Sequence, residues 1–305
     1  MRSVLADERK KLLYIVNPVA GKSAIKSQLL GVCEIFQRQG YDITLRVTLS
    51  SDDAVKFAGE CEGYDRLICS GGDGTLSEVV NGVISSGINI PIGFIPCGTT
   101  NDFADTLGLS SNIKKAAAFA AGASPRVCDA GSFNGKYFTY TAAFGLFSEI
   151  AYITPQSIKS TLGRAAYLLN GAESMLDAKP QTMRISVNGE VIEGDFLFGM
   201  ISNSKSIGGF KGIGGITVEL SDGLFEAVFV RMPENIQDIQ LIMKAFVQKD
   251  LRREYGVYSF KCRELALDAL GETPWTLDGD YGGSPEHIEI KVLPGAVNYI
   301  ADIGN

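Results

Sequence analysis

Apolar residues in the first 128 positions fall into two alternating kinds of run. Leu12 to Val16, Ile43 to Val47, Leu67-Ile68-Cys69 and Ile90 to Ile95 are short continuous stretches, the pattern of buried strands. Between them the spacing is helical. Ala24 to Gln39 carries Leu29, Cys33 and Phe36 on one stripe and stops at Gly40, Ser51-Asp52-Asp53 caps a helix running towards Gly59, and a third helix spans Thr75 to about Ile84. Strand and helix in alternation, with short crossovers, predict an open, mostly parallel α/β sheet with right-handed connections.

After about Cys128 the period changes to two. Ser132-Phe133-Asn134-Gly135-Lys136-Tyr137 and Val187-Asn188-Gly189-Glu190 are Asn-Gly turns between alternating segments, which is strong hairpin chemistry. Gly194 to Ser202, Leu224 to Arg231, Val257 to Lys261 and His287 to Val292 add strands, so a second, mainly antiparallel β domain is expected. Between the hairpins, Leu162 to Met175 places Leu162, Ala166, Leu169 and Met175 near one helical face, which suits a helix covering the core or a lid facing lipid.

Ligands of open α/β sheets gather at the carboxyl ends of strands. Four segments follow strands in this way: Asn17 to Lys22, Thr48, Gly71 to Thr75 and Pro96 to Asp102. All four are expected to meet at one edge of the sheet. The most informative is Gly71-Gly72-Asp73-Gly74-Thr75. Its three glycines let the backbone turn tightly and approach a polyanion, and the N–H groups opening the next helix point at that charge. A carboxylate beside phosphates, here Asp73, calls for a divalent cation, which points to magnesium and a nucleoside triphosphate. Gly-Gly-Asp-Gly is also ordinary turn vocabulary. Neither common phosphate motif applies: a dinucleotide fingerprint needs a glycine at Ser77, and a Walker A loop needs one at Val16, ahead of Asn17-Pro18-Val19-Ala20-Gly21-Lys22-Ser23.

Bulk properties narrow the partners. A chain of 305 residues, 45% apolar and 21% charged, fits two ordinary globular domains. A net charge of −7 and a pI near 5.0 argue against nucleic acid and against purely electrostatic docking on anionic lipid. None of the six cysteines stands in a C-x-x-C pair, so reduced, buried thiols and a cytoplasmic location are expected. No secretory signal is visible in Met1 to Lys11, and no apolar run reaches the length of a transmembrane segment. The single histidine, His287, lies in an alternating strand and suits a structural or solvent-facing role, and its being alone excludes triads or metal sites built on several histidines.

Three motifs in register carry a resemblance. Asn17-Pro18 with Gly21-Lys22, then Gly71-Gly72-Asp73-Gly74-Thr75-Leu76 with Glu78 and Asn81-Gly82, then Pro96-Cys97-Gly98-Thr99-Thr100-Asn101-Asp102-Phe103 resemble the diacylglycerol kinase catalytic domain family, of bacterial lipid kinase type, from about Lys11 to the end. The resemblance implies an amino-terminal α/β domain (residues 1–128 plus 296–305) that holds ATP and a β-rich domain (residues 129–295) that holds the lipid headgroup, with the nucleotide in the cleft. It implies nucleotide contacts from Asn17, Pro18, Val19, Ala20, Gly21, Thr48, Gly71, Gly72, Asp73, Gly74, Thr75, Leu76, Ser77, Glu78 and Thr99 or Thr100, with Asn101 and Asp102 close by, ordering the loop.

The same resemblance extends into the second domain. Glu219-Leu220-Ser221-Asp222-Gly223-Leu224 looks like the family's structural magnesium segment, implying Asp222 by its carboxylate and Glu219 and Leu224 by position, with Ser221 where the family often has an acid. An Asp-Gly turn explains the same residues. Leu277-Asp278-Gly279-Asp280 resembles the family's Asp-Gly-Glu motif, whose last carboxylate is the proton acceptor. Here that acid is Asp280, one methylene shorter, with Asp278 as the fallback base or a metal-bridging acid. The expected activity is ATP- and Mg2+-dependent phosphorylation of diacylglycerol or a related lipid to phosphatidate by a protein that visits the membrane peripherally, and a homodimer is allowed. Two alternatives stay open: a kinase acting on NAD or a soluble polyol, and a nucleotide-binding regulatory protein without turnover.

Overall fold

The computed structural model describes residues 9–21, 23–146, 176, 178–204, 206–207, 210–211, 219–248 and 253–303. Lys22 and the expected helix from Leu162 to Met175 lie outside the described residues. The chain divides into two compact units, Met1–Cys128 with Gly295–Asn305, and Asp129–Pro294.

In the first unit, β1 (Lys10–Val16), α1 (Ala24–Arg38), β2 (Tyr41–Val47), α2 (Asp53–Gly59), β3 (Arg66–Gly71), α3 (Asp73–Ser86) and β4 (Pro91–Pro96) alternate as the apolar pattern predicts. The strands lie in the order β4-β3-β1-β2, all parallel, and Leu12 to Val16 of the central strand are buried throughout. Crossover helices lay their apolar stripes on this sheet: α1 buries Ile25, Val32 and Phe36, and the Phe36 ring meets Tyr14 edge-on at 5.1 Å. Two helices follow β4, the short α4 (Asp102–Thr106) and the alanine-rich α5 (Ile113–Gly122). The end of α5 is fixed by the Arg66 guanidinium, which donates to the carbonyls of Ala120 (2.6 Å) and Ala123 (3.1 Å), a cation placed at the negative end of a helix.

The second unit is built of antiparallel strands: β5 (Pro125–Phe133), β6 (Lys136–Phe138), β7 (Thr141–Gly145), β8 (Gln181–Val187), β9 (Glu190–Ser202), the short pair β10 (Ser206–Ile207) and β11 (Phe210–Lys211), β12 (Phe225–Arg231), then α6 (Ile236–Gln248), β13 (Val257–Cys262), β14 (Glu264–Ala269), β15 (Trp275–Leu277), β16 (Asp280–Gly283) and β17 (His287–Ile300). The long β9 is the hub. It pairs with β8 along its first half and with β7 and β12 on its two sides along its second. The core between these strands is aromatic, with Phe133, Phe138, Phe144, Phe196, Phe225, Phe229 and Trp275 fully buried. Both Asn-Gly pairs form two-residue hairpin turns with positive φ at each position (48° and 83° at Asn134-Gly135, 51° and 79° at Asn188-Gly189). A third turn of the same kind, Asp278-Gly279 (52° and 92°), joins β15 to β16. After Pro294 the chain re-enters the first unit, where Asn298 and Tyr299 pair in parallel with Pro91 and Ile92.

One boundary differs in an informative way. The third helix starts at Asp73, not Thr75, because Gly72 is extended (φ −95°, ψ −172°) and serves as N-cap, which makes Asp73-Gly74 its first turn. Half of the glycine motif is therefore helix.

Candidate active site

The carboxyl ends of the first unit's strands are fastened to one another by short polar contacts. Asn17, just past β1, donates its backbone N–H to the Ser70 carbonyl (2.9 Å) and its side-chain amide to Thr75 Oγ1 (3.0 Å), while its own Oδ1 accepts the Val19 N–H (3.1 Å). One asparagine thus shapes its own loop and ties it to the start of α3. Thr48, past β2, donates its N–H to the Val16 carbonyl (2.9 Å). The Gly71 carbonyl accepts from both Cys97 (2.7 Å) and Gly98 (3.1 Å), joining the ends of β3 and β4. Asn101, in the left-handed region (φ 54°), closes the next turn by accepting from Gly98 N–H (2.9 Å) and donating to its carbonyl (3.0 Å). All four segments expected at one sheet edge do meet there.

Glycine is required where these loops touch. A Cβ on Gly98 would sit 2.5 Å from the Gly72 Cα and 2.7 Å from Asn101 Oδ1, and one on Gly21 would overlap the carbonyl oxygen of Cys97. The edge is therefore a backbone-lined surface without side-chain bulk. Gly72, the N-cap of α3, has no side chain with which to cap its first turn. Such an edge suits an anion approached by N–H groups at the positive end of a helix. Val19, Gly21, Thr99 and Thr100 are exposed around it, and Thr75 and Leu76 are buried, so Leu76 brings backbone only. Ser77 and Glu78 follow on α3.

Asp73 has a defined task. Its two oxygens accept the N–H groups of Asp102 (3.0 Å) and Phe103 (3.2 Å), so it caps α4 from outside and anchors the Pro96 to Asp102 loop. The expectation that pairs it with catalytic magnesium is thus joined by a positioning role that the sequence alone did not show.

In the second unit the acid turn separates its two carboxylates by environment. Asp278 is buried, and its carboxylate accepts three backbone N–H groups, from Thr139 (2.6 Å), Tyr140 (2.9 Å) and Thr141 (3.1 Å). With both oxygens engaged it holds the link between β6 and β7 against the turn, an anchoring role that the sequence alone did not show. Asp280 stands two residues on at the start of β16, exposed, with its carboxyl pushed above the ordinary range by partial desolvation. Of the pair, Asp280 is the one exposed to solvent and Asp278 the one buried.

The segment implied for structural magnesium has one carboxylate in its turn, that of Asp222. Asp222 Oδ1 accepts the Leu224 N–H (3.0 Å), and its Oδ2 faces the ammonium of Lys261 at 3.4 Å. Glu219 is exposed. Among the described residues no cluster of three or more His, Cys, Asp or Glu could hold a metal ion. Lys261 and its second partner Glu226 escaped the sequence reading; the signal available was an acid inside the apolar run Phe225-Glu226-Ala227-Val228-Phe229. His287 is exposed and sits opposite Asp268, 2.7 Å away, as a surface strand residue. None of the six cysteines, all of them among the described residues, forms a disulfide.

An α/β unit with a glycine-lined strand edge is thus followed by an antiparallel β unit that presents an acid on a hairpin. Residues 11–133 match the family model of the diacylglycerol kinase catalytic domain, and residues 144–301 match the model described as the YegS C-terminal NAD kinase beta sandwich-like domain. The chain is 31% identical over 277 residues to a diacylglycerol kinase of Bacillus subtilis (90% of this chain, 91% of that one) and 32% identical over 278 residues to one of Staphylococcus aureus (90% and 87%). A crystal structure of a diacylglycerol kinase from Bacillus anthracis superposes with a TM-score of 0.76 at 25% identity, covering 97% of this chain and 98% of that one. The chain belongs to the diacylglycerol kinase catalytic domain family. Among the described residues no helix is long and apolar enough to cross a membrane.

Proposed function

We propose that this chain is an ATP-dependent lipid kinase that transfers the γ-phosphate to the hydroxyl of diacylglycerol or a related lipid, giving phosphatidate. The observation that carries the reading is the convergence of four strand-end segments on one glycine-lined edge, in a chain whose relatives are named diacylglycerol kinase. Asn17 to Gly21, Thr48, Gly71 to Glu78 and Thr99 to Asn101 would hold the nucleotide. The fit is supported by the close backbone packing of the loops that form this edge, which a Cβ at Gly98 or Gly21 would break. Bound there, the triphosphate supplies the phosphoryl group and its magnesium neutralises oxygen charge.

The chain's own contribution is alignment and proton transfer. The N–H groups opening α3 orient the anion, Asn17 fixes the first loop against Thr75, and Asp73 fixes the third loop through α4. Asp280 takes the proton of the attacking hydroxyl, and its raised carboxyl makes it a stronger base than an ordinary aspartate. The lipid is met at a membrane surface that the protein visits peripherally.

NAD is the competing acceptor, favoured by the NAD kinase description of the second matched domain. Purified protein with labelled ATP and mixed micelles of diacylglycerol, sphingoid base or soluble NAD separates the readings. Label on diacylglycerol is expected; label on NAD alone would overturn the proposal.

A further inference from the structure

We infer that in this chain the ammonium group of Lys261 takes the structural place of the divalent cation that the family resemblance assigns to the Glu219 to Leu224 segment. Glu226 on β12 lies directly opposite Lys261 on β13 in the antiparallel register. The Lys261 ammonium is 3.3 Å from Glu226 Oε1 and 3.4 Å from Asp222 Oδ2, so one cation faces a carboxylate from the strand and another from the turn that leads into it. The Glu226 side chain is only 7% exposed, and the Lys261 ammonium is the cation that faces it.

Magnesium requires about six oxygens at roughly 2.0–2.1 Å in near-octahedral array. Here the position between the two carboxylates is taken by a positive group on the chain itself, and a second cation placed between the same acids would be repelled by it. Two N–H groups of the turn end on carboxylates: Leu224 N–H goes to Asp222 Oδ1 at 3.0 Å, and Gly223 N–H goes to Asp129 Oδ2 at 2.7 Å. A tethered ammonium ties the turn to β12 and β13 at any metal concentration. The second unit is therefore stable without magnesium, whether or not the kinase reading holds.

Thermal unfolding of the nucleotide-free protein tests this in EDTA and in about 10 mM MgCl2, where magnesium would exceed the dissociation constant of a weak site. The wild type is expected to unfold at the same temperature in both. Lys261→Met, which keeps the stem and removes the charge, is expected to lose at least about 5 °C in EDTA and to recover part of that loss as magnesium is added. Lys261→Arg should stay near the wild type. A wild-type Tm that rises with magnesium, or a Lys261→Met protein as stable as the wild type, would overturn the inference. If Lys261→Met is too unstable to isolate, the wild-type pair of melts decides alone.

Discussion

Replacing Asp278 separates an anchor from a base. Three backbone N–H groups, those of Thr139, Tyr140 and Thr141, end on its buried carboxylate at 2.6 to 3.1 Å. Hydrogen bonds to a charged acceptor contribute about 1.5–3 kcal/mol each, and a buried donor left without a partner costs about 1–3 kcal/mol. Because the three share one side chain their losses do not add fully, and Asp278→Ala is expected to cost about 4–6 kcal/mol, a large part of a typical folding free energy. Asp278→Asn keeps the shape but turns an amide NH2 towards at least one of these donors, for an expected cost of about 2–4 kcal/mol. Trp275 is the only tryptophan, is fully buried on β15 three residues before Asp278, and packs 5.0 Å from Phe133, so its fluorescence reports unfolding of this unit in urea. The expected result is a lowered urea midpoint for both variants, with Asp278→Asn retaining most of the wild-type kcat at low temperature. An unchanged midpoint together with a kcat reduced by two orders of magnitude would refute the reasoning and return Asp278 to the chemistry.

Asp280→Asn is expected to lower kcat by about 10²-fold or more without lowering Tm, since it removes a charge whose desolvation opposes folding. The sign follows from its raised carboxyl: the folded protein holds that proton more tightly, so the residue favours folding in acid and loses this contribution as pH rises through the raised value. As a base it must be ionised, so the acid limb of the kcat/KM profile should inflect above the ordinary aspartate pKa of about 3.9 and vanish in Asp280→Asn. Gly98→Ala forces a Cβ against Gly72, and is expected to cost about 1–3 kcal/mol and to raise KM for nucleotide more than it lowers kcat, measured by urea titration and steady-state kinetics. Asp73→Ala should abolish turnover and speed amide exchange at Asp102 and Phe103; full activity in this variant would remove Asp73 from the site.

The alternation of strands and helices to Ile95 was legible because each strand is continuous and apolar and each crossover helix carries a stripe of large residues. α5 was not. Its buried face is Ile113, Ala116, Ala117, Ala120 and Ala121, helical in spacing but set in a segment where nearly every residue is small and apolar, so no polar face stood out. α4 was hidden for another reason: it is one turn long and depends on a carboxylate 29 residues earlier in the chain, a contact no local pattern encodes. The glycine motif marked the turn at the end of β3, yet its character as the first turn of α3 was masked by glycines that disfavour helix interiors. The sequence ranked Asp280 ahead of Asp278 by motif alone and showed nothing of their surroundings. Only the hairpin, which buries one and exposes the other, distinguishes them, and the same holds for Lys261, whose partner Glu226 is 35 residues away but directly across the ladder.

Transfer of label from γ-labelled ATP to lipid, compared between the wild type, Gly98→Ala and Asp280→Asn in diacylglycerol mixed micelles, tests the central claim. Labelled phosphatidate from the wild type, less from Gly98→Ala unless nucleotide is raised, and almost none from Asp280→Asn at any nucleotide concentration is the expected pattern. Labelled phosphatidate at wild-type rate from all three proteins, or none from the wild type while NAD becomes labelled, would contradict it.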